Sequence, residues 1–459
     1  MIDLLVTGGY VYTPEAQTDG EAGRGPEGGT MAAEMAILAD GAVAVDGDRI
    51  RAVGPAAELD AEFEAETVID AAGQAVLPGL VNAHTHETLP RGFHEDLPLM
   101  EWLETSTLPA ERALTPDQME AAARLNQAEM IRSGTTTFAE IFRHQGVAAD
   151  VALDTGLRAV LSAQAIDEPH EIETVENNRE VFERYHGADD GRIQVWFGVH
   201  APYTCTEETM RRASDLADRY DTRLHTHLAE TEDEVAGIRA EHGATPVEYL
   251  DDLGLLDERL HAAHCVHLTD EDVALLADRG VSVGYNPTSN LKLADGIAPV
   301  PELLEAGVPV GLATDSNLSN NNLDMFEEMR FGSYVQKHRL DDPAAMSCDR
   351  LLELATAGAA RALGLEDVGR LAAGAKADIV TVSLDAPHLR PVFADDDLHN
   401  LVAALVYAGK GSDVVNTIVD GDVLMRDRKL RTIDEERALE RAQEAARDLD
   451  AAVKSATGN

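Results

Sequence analysis

Two histidines stand two positions apart at the end of an apolar run, Leu77-Pro-Gly-Leu-Val-Asn-Ala-His84-Thr-His86. In an extended chain, side chains at i and i+2 point to the same side. The pair therefore offers two neutral nitrogen donors together, the start of a zinc-type ligand set. His-x-His also arises by chance in surface loops, so the pair gains meaning only if further ligands close later strands. They do. His200, His227 with Glu230, His264 and Asp315 each stand at or just beyond the end of another apolar, strand-like run. His227 is preferred over His225 because Glu230 follows it in a His-x-x-Glu spacing, which lets the carboxylate overhang a metal without binding it. A single strand-end histidine is more often a packed core residue, but joint placement of so many is hard to produce by accident. His261, His144 and His267 lack such a pattern and are left unassigned.

The elements that must position these residues can be read from periodicity. Eight strand-like runs, 76–83, 135–141, 158–166, 193–200, 223–228, 260–266, 281–286 and 309–314, alternate with segments of helical spacing. Several of those segments open with Thr or Asp as N-caps. Eight such units predict an α/β fold, a (β/α)8 TIM-type barrel over 76–363, whose chemistry collects at the C-terminal ends of its strands. A doubly wound open sheet would more naturally show a glycine-rich phosphate turn after its first strand, and none is present. Short strands before residue 75 and after residue 364, including one at 402–407, predict a small β-sandwich domain built from both chain ends. The helical segment 434–454 is grouped with it. The stretch from Pro14 to Ala33, rich in Gly, Glu and Ala, reads as a mobile insertion.

Composition excludes several classes. A hydrophobic fraction of 44% is that of a globular chain, and no apolar run approaches the roughly 20 residues of a membrane span. The N-terminus lacks the features of a secretory signal. Three well-separated cysteines, Cys205, Cys265 and Cys348, suit a reducing compartment. A cytoplasmic location is expected. The net charge of −47 repels nucleic acid and anionic membrane. Only six of the 37 basic residues are lysine. Such self-repulsion is relieved when molar salt shortens the screening length to about 3 Å, so a high-salt, halophilic cytoplasm is the expectation.

The motifs Pro78-Gly-Leu-Val-Asn-Ala-His-Thr-His, Asp96-Leu-Pro-Leu-Met-Glu-Trp-Leu, Gly134-Thr-Thr-Thr, His225-Thr-His-Leu-Ala-Glu-Thr, Ala263-His-Cys-Val-His-Leu, Asn286-Pro-Thr-Ser-Asn-Leu-Lys-Leu and Gly311-Leu-Ala-Thr-Asp span most of the chain. Together they resemble the amidohydrolase superfamily. Within it they are similar to the cytosine deaminase-like group that contains the 5′-methylthioadenosine/S-adenosylhomocysteine deaminases and the triazine hydrolases.

The resemblance implies a divalent ion, zinc with ferrous iron as the alternative, held by His84, His86, His227 and Asp315. Two-metal members bridge their ions with a barrel lysine, and no lysine precedes Lys292 here, so one ion is expected. It implies Glu230, His264 and Asp315 as catalytic residues of a hydrolytic deaminase, with metal-activated hydroxide attacking an adenine nucleoside and ammonia leaving. It further implies Glu111 as acceptor for ribose hydroxyls, His200 near the leaving edge, Arg158 as anchor for a polar tail, and Ser319 as a lesser contact. The partner would be a small nucleoside or amino-heterocycle, and the assembly a homodimer or homotetramer. The segment after His86 is about two residues shorter than the family's usual form and brings Glu87 beside a ligand. Competing readings keep the metal but change the substrate, to an s-triazine or a guanine-type base. A catalytically silent assembly protein is a third, disfavoured by the intact ligands and Glu230.

Overall fold

The computed structural model describes every residue except 15–34, 94, 98, 168, 170, 395–397 and 458–459. The insertion expected to be mobile thus lies outside the described residues. Strands β1 (Ile2–Pro14), β2 (Met35–Asp46), β3 (Arg49–Pro55), β4 (Ala65–Asp70) and β5 (Gln74–Pro78) come first. Barrel strands follow as β6 (Leu80–Thr85), β7 (Thr135–Phe142), β8 (Arg158–Ala165), β9 (Ile193–Val199), β10 (Leu224–Leu228), β11 (Leu260–His264), β12 (Ser282–Tyr285) and β13 (Val310–Leu312). The chain closes with β14 (Ile379–Ser383), β15 (Val414–Val419), β16 (Asp422–Arg426) and β17 (Lys429–Leu430).

Strands β6 to β13 pair in parallel and in chain order, with helices between them. Parallel strands covered on both faces favour apolar runs, and every residue of β6, β7, β8 and β10 to β13 is buried. The Thr and Gly punctuation sets the helix limits. Thr115, Thr206, Thr231 and Thr269 each accept a backbone N–H at a helix start, and Gly134 and Gly280 end helices in the left-handed region at φ 89° and 72°. The first and last barrel strands meet through polar groups. The Asn82 amide bonds Thr314 Oγ1 at 2.7 Å and accepts the Thr314 N–H at 3.0 Å, while the Asp315 N–H donates to the His84 carbonyl at 3.0 Å. Two candidate ligands are therefore joined by the seam that closes the barrel.

Both chain ends form one nine-stranded mixed sheet, ordered β17-β16-β15-β14-β5-β1-β2-β3 with β4 beside β1. The sheet folds over on itself. A side chain at Gly421, between β15 and β16, would run into the carbonyl of Gly47 in the β2–β3 turn. Val6, Val43, Ile69, Ile379 and Ile418 share the core so enclosed. Among the described residues no helix is long and apolar enough to cross a membrane.

Four sequence expectations are corrected. The run 76–83 is two strands: β5 pairs antiparallel with β14 in the end sheet, and β6 opens the barrel. The chain passes from one to the other at Gly79, where any Cβ would overlap the Thr136 side chain. The barrel boundary thus falls at Gly79 rather than at residue 76. Residues 402–407 lie in a helix, Leu401–Ala408, that buries Leu401, Val402, Leu405 and Val406; short apolar runs do not distinguish helix from strand by periodicity. The closing helix Glu435–Thr457 packs on the barrel helix Pro116–Ser133 rather than on the end sheet, burying Ala438, Ala442, Ala445 and Leu449 in the barrel's core.

Arg158 is the fourth. It opens β8, seven residues and so about 23 Å before the strand's far end. Its guanidinium is buried against Asp378, at 3.1 Å, and Asp420, at 2.5 Å, both from the end sheet. Asp420 also meets Arg192 and Lys376, each at 3.1 Å. The residue expected to hold a substrate tail instead ties the barrel floor to the second sheet. Removing one partner of a buried ionic cluster leaves uncompensated charge, so Arg158→Met should cost about 3–5 kcal/mol in denaturant unfolding. Its KM and metal content should stay as in the parent chain.

Candidate metal centre and active-site cavity

At the C-terminal mouth of the barrel the backbone is bent to aim side chains inward. Ala229, His264, Cys265 and Asp315 all lie in the left-handed region, at φ 50°, 73°, 50° and 58°. Such conformations in residues other than glycine cluster where function overrides local preference. His84 and His86 project from the end of β6, His227 from β10 and Asp315 from the turn after β13.

Each imidazole is oriented through its second nitrogen. His86 Nδ1–H donates to the Ile141 carbonyl at 2.5 Å and His227 Nδ1–H to the His200 carbonyl at 2.6 Å, while His84 Nδ1 pairs with His225 Nε2 at 2.9 Å. This is the usual support of metal-binding histidines, and it leaves the Nε2 lone pairs of His86 and His227 facing one another. His86 Nε2 and His227 Nε2 are 3.2 Å apart, and with both Nδ1 atoms protonated neither can donate to the other. His84 Nε2 is buried with no hydrogen-bond partner among the described residues. Asp315 Oδ1 lies 3.4 Å from His86 Nε2 and 3.6 Å from His84 Nε2. A tetrahedral ion with bonds of about 2.0–2.1 Å separates its ligands by about 3.3–3.4 Å. These residues fit one divalent ion: His84, His86 and Asp315 bring ligand atoms within 4.8 Å of one another, and so do His84, His227 and His264.

The electrostatics agree. Burial first, then the neighbouring His84, pushes His86 down to about 4. Burial and the surrounding histidines hold His227 well below its ordinary value. The imidazoles of His86 and His227 are therefore neutral and their lone pairs available. Burial works against the charge of Asp315, but its contacts with His84, His264 and His86 outweigh it and hold the carboxyl well below the usual range. Asp315 Oδ2 accepts from Ser289 at 2.5 Å and Ser319 at 2.8 Å.

The catalytic candidates stand on the next strands. His264, pushed to about 3 chiefly by burial, accepts amide N–H groups of Asn290 and Asn286 at Nδ1, 3.0 and 3.3 Å away. Its proton therefore sits on Nε2. Glu230 Oε1 lies 3.6 Å from His264 Nδ1. Burial, followed by repulsion from Asp295, Asp315 and Glu234, raises Glu230 well above the usual carboxylate range. Its loop is fixed by Glu234, which accepts the N–H groups of Ala229 and Glu230 at 2.9 and 2.8 Å.

One cavity is lined by His86, His227, His264, Glu230, Asp315 and also by Glu111, Gln164, His200 and Ser319. Glu111 is buried on the helix Leu108–Ala113 and raised to about 8 by burial; Gln164 donates to its carboxylate at 3.3 Å. His200 bonds Thr204 through Nδ1 at 2.7 Å. Ser319, expected as a substrate contact, spends its hydroxyl on Asp315, although it still lines the cavity. Lys292 bonds the Leu318 carbonyl at 3.0 Å and is not within the cluster. Glu87 is not among the cavity's lining residues; its N–H donates to Glu140 at 2.9 Å, and burial raises its carboxyl to about 8.

Sequence reasoning missed the supporting layer: His225 under His84, Ser289 on Asp315, Asn286 and Asn290 on His264, and Glu234 beneath the Glu230 loop. Asn286-Pro-Thr-Ser289-Asn290 was visible as a motif, but only the fold shows which side chains it serves.

A sequence model described as the amidohydrolase family matches residues 75–424. The chain belongs to the amidohydrolase family. A bacterial imidazolonepropionase-like composite domain matches residues 41–63, within the end sheet. This amidohydrolase is 44% identical over 413 residues to a 5-methylthioadenosine/S-adenosylhomocysteine deaminase of Desulforudis audaxviator, covering 89% of this chain and 95% of the relative. It is 45% identical over 392 residues to a 5′-deoxyadenosine deaminase of Methanothermobacter thermautotrophicus, covering 84% and 90%. An adenosine deaminase of Xanthomonas campestris, solved with bound zinc, superposes with a TM-score of 0.89 at 35% identity over 98% of this chain and 99% of that one.

Metal analysis should return one divalent ion per chain. Removal by a chelator should lower the unfolding midpoint and zinc should restore it, since an ion at a thousandfold excess over its Kd stabilises by about 4 kcal/mol. His227→Ala should abolish both effects.

Proposed function

We propose that this amidohydrolase is a zinc-dependent hydrolytic deaminase of adenine nucleosides of the 5′-methylthioadenosine and S-adenosylhomocysteine type. One observation carries the reading: a buried glutamate, Glu111, lies in the same cavity as Glu230 and the His/Asp cluster. A ribose diol offers two hydroxyls, and a carboxyl with a raised pKa can both accept from and donate to such a pair. An amino-heterocycle without ribose has no diol for Glu111.

His84, His86, His227 and Asp315 would hold the ion. When bound, it supplies Lewis-acid activation of water at neutral pH. The chain's own groups do the rest. Glu230, its carboxyl raised well above the usual range by burial, is suited to giving a proton to the ring nitrogen as oxygen adds to the neighbouring carbon. His264, with its proton on Nε2, donates a hydrogen bond to the incoming oxygen. Asp315, its Oδ2 fixed by Ser289 and Ser319, takes the second proton and passes it to the departing amine. His200 flanks the base near that edge. Water and the amidine are consumed, and ammonia and a lactam are released. The acidic, lysine-poor surface supports a working site in a salt-rich cytoplasm.

Glu230→Gln should retain one ion per chain while kcat falls by roughly 10²–10⁴-fold; full activity would remove its proton-transfer role. Glu111→Ala should lower kcat/KM for 5′-methylthioadenosine by about tenfold to a hundredfold, the worth of two hydrogen bonds of about 0.5–1.5 kcal/mol each. Rates on a ribose-free aminopurine should hardly change, and an equal loss on both would remove the ribose assignment.

A further inference from the structure

Glu111 sits on a segment that also carries an apolar wall. The chain runs from a helix, Leu99–Trp102, through one turn of π-helix, Leu103–Thr107, into the helix Leu108–Ala113. π-turns of this kind recur at functional sites. Trp102 and Leu318 are buried in a small apolar cluster with Leu97, Leu103 and Leu293. Four of these, Trp102, Leu103, Leu293 and Leu318, line the cavity that holds Glu111 and the metal cluster.

The cavity's charge points the same way. Among the described residues, neither arginine nor lysine lines it, and its carboxyl groups are Glu111, Glu230 and Asp315. Three basic groups flank lining residues: Arg112, next to Glu111, is exposed to solvent, and the other two are engaged within the protein. Arg143, next to Phe142, donates to the Glu111 carbonyl and lies 3.9 Å from Glu173. Lys292, next to Leu293, lies 2.7 Å from Glu95 and donates to the Leu318 carbonyl. A carboxylate entering here would lose hydration without gaining a cation. A thioether or methyl group would instead meet Trp102 and three leucines, contacts that favour sulfur beside an aromatic ring.

We infer that the site selects nucleosides whose 5′ substituent is uncharged and apolar, and disfavours a zwitterionic amino-acid tail. The inference rests on the nucleoside reading above and narrows it. The test is ammonia release by the zinc-loaded full chain from 5′-methylthioadenosine, 5′-deoxyadenosine and S-adenosylhomocysteine, with calorimetric binding of the same three to Glu230→Gln. The first two should exceed the third in kcat/KM, and in affinity, by at least about tenfold. Leu103→Arg, which adds a cation to the wall, should shift the ratio toward S-adenosylhomocysteine by a similar factor. Equal or better handling of S-adenosylhomocysteine by the parent chain overturns the tail assignment alone. If no adenine nucleoside reacts while a ribose-free base does, the nucleoside reading fails and the tail assignment falls with it.

Discussion

The Nε2 atoms of His86 and His227, neither able to donate to the other, are held 3.2 Å apart beside His84 and Asp315 at the mouth of a barrel. Burial keeps His86 and His227 neutral, and the backbone carbonyls of Ile141 and His200 take their protons. Lone pairs in such proximity repel unless a cation lies between them. The seam between β6 and β13 bears on the same point, because the backbone bond from Asp315 to His84 both closes the barrel and sets two ligands side by side. Fold and site are thus one construction at this end of the molecule.

The other end is held by charge of opposite character. Arg158, Arg192 and Lys376 meet Asp378 and Asp420 where the barrel floor rests on the sheet formed by both chain termini. In a chain of net charge −47, basic residues are scarce, and several are spent on this junction. The division leaves the mouth of the barrel acidic and apolar. Burial raises both Glu230 and Glu111 above the usual carboxylate range, Glu111 to about 8, which suits the one to donating a proton and the other to pairing with a diol.

Much of this was legible in the sequence because the ligands obey local rules. His84 and His86 share a strand face, Glu230 follows His227 by three, and strand ends of a barrel pool their side chains. The eight strands were found from apolar runs, as burial on both faces requires. What could not be read depends on contacts distant in sequence. Arg158 looks alike at either end of a strand until Asp378 and Asp420 are seen, some 220 and 262 positions away. The break at Gly79 is invisible to hydropathy, since the strands on both sides are apolar. The closing helix shows a clear apolar face, but nothing local says that it lies on Pro116–Ser133.

We read the buried cluster as a single-ion centre of three histidines and one aspartate. X-ray absorption at the zinc edge of the zinc-loaded chain tests it most directly. A single-ion centre should give a shell of nitrogen and oxygen at about 2.0–2.1 Å with scattering from three imidazoles. A metal–metal path at about 3.5–4 Å, as in two-ion sites, or a sulfur shell would contradict it.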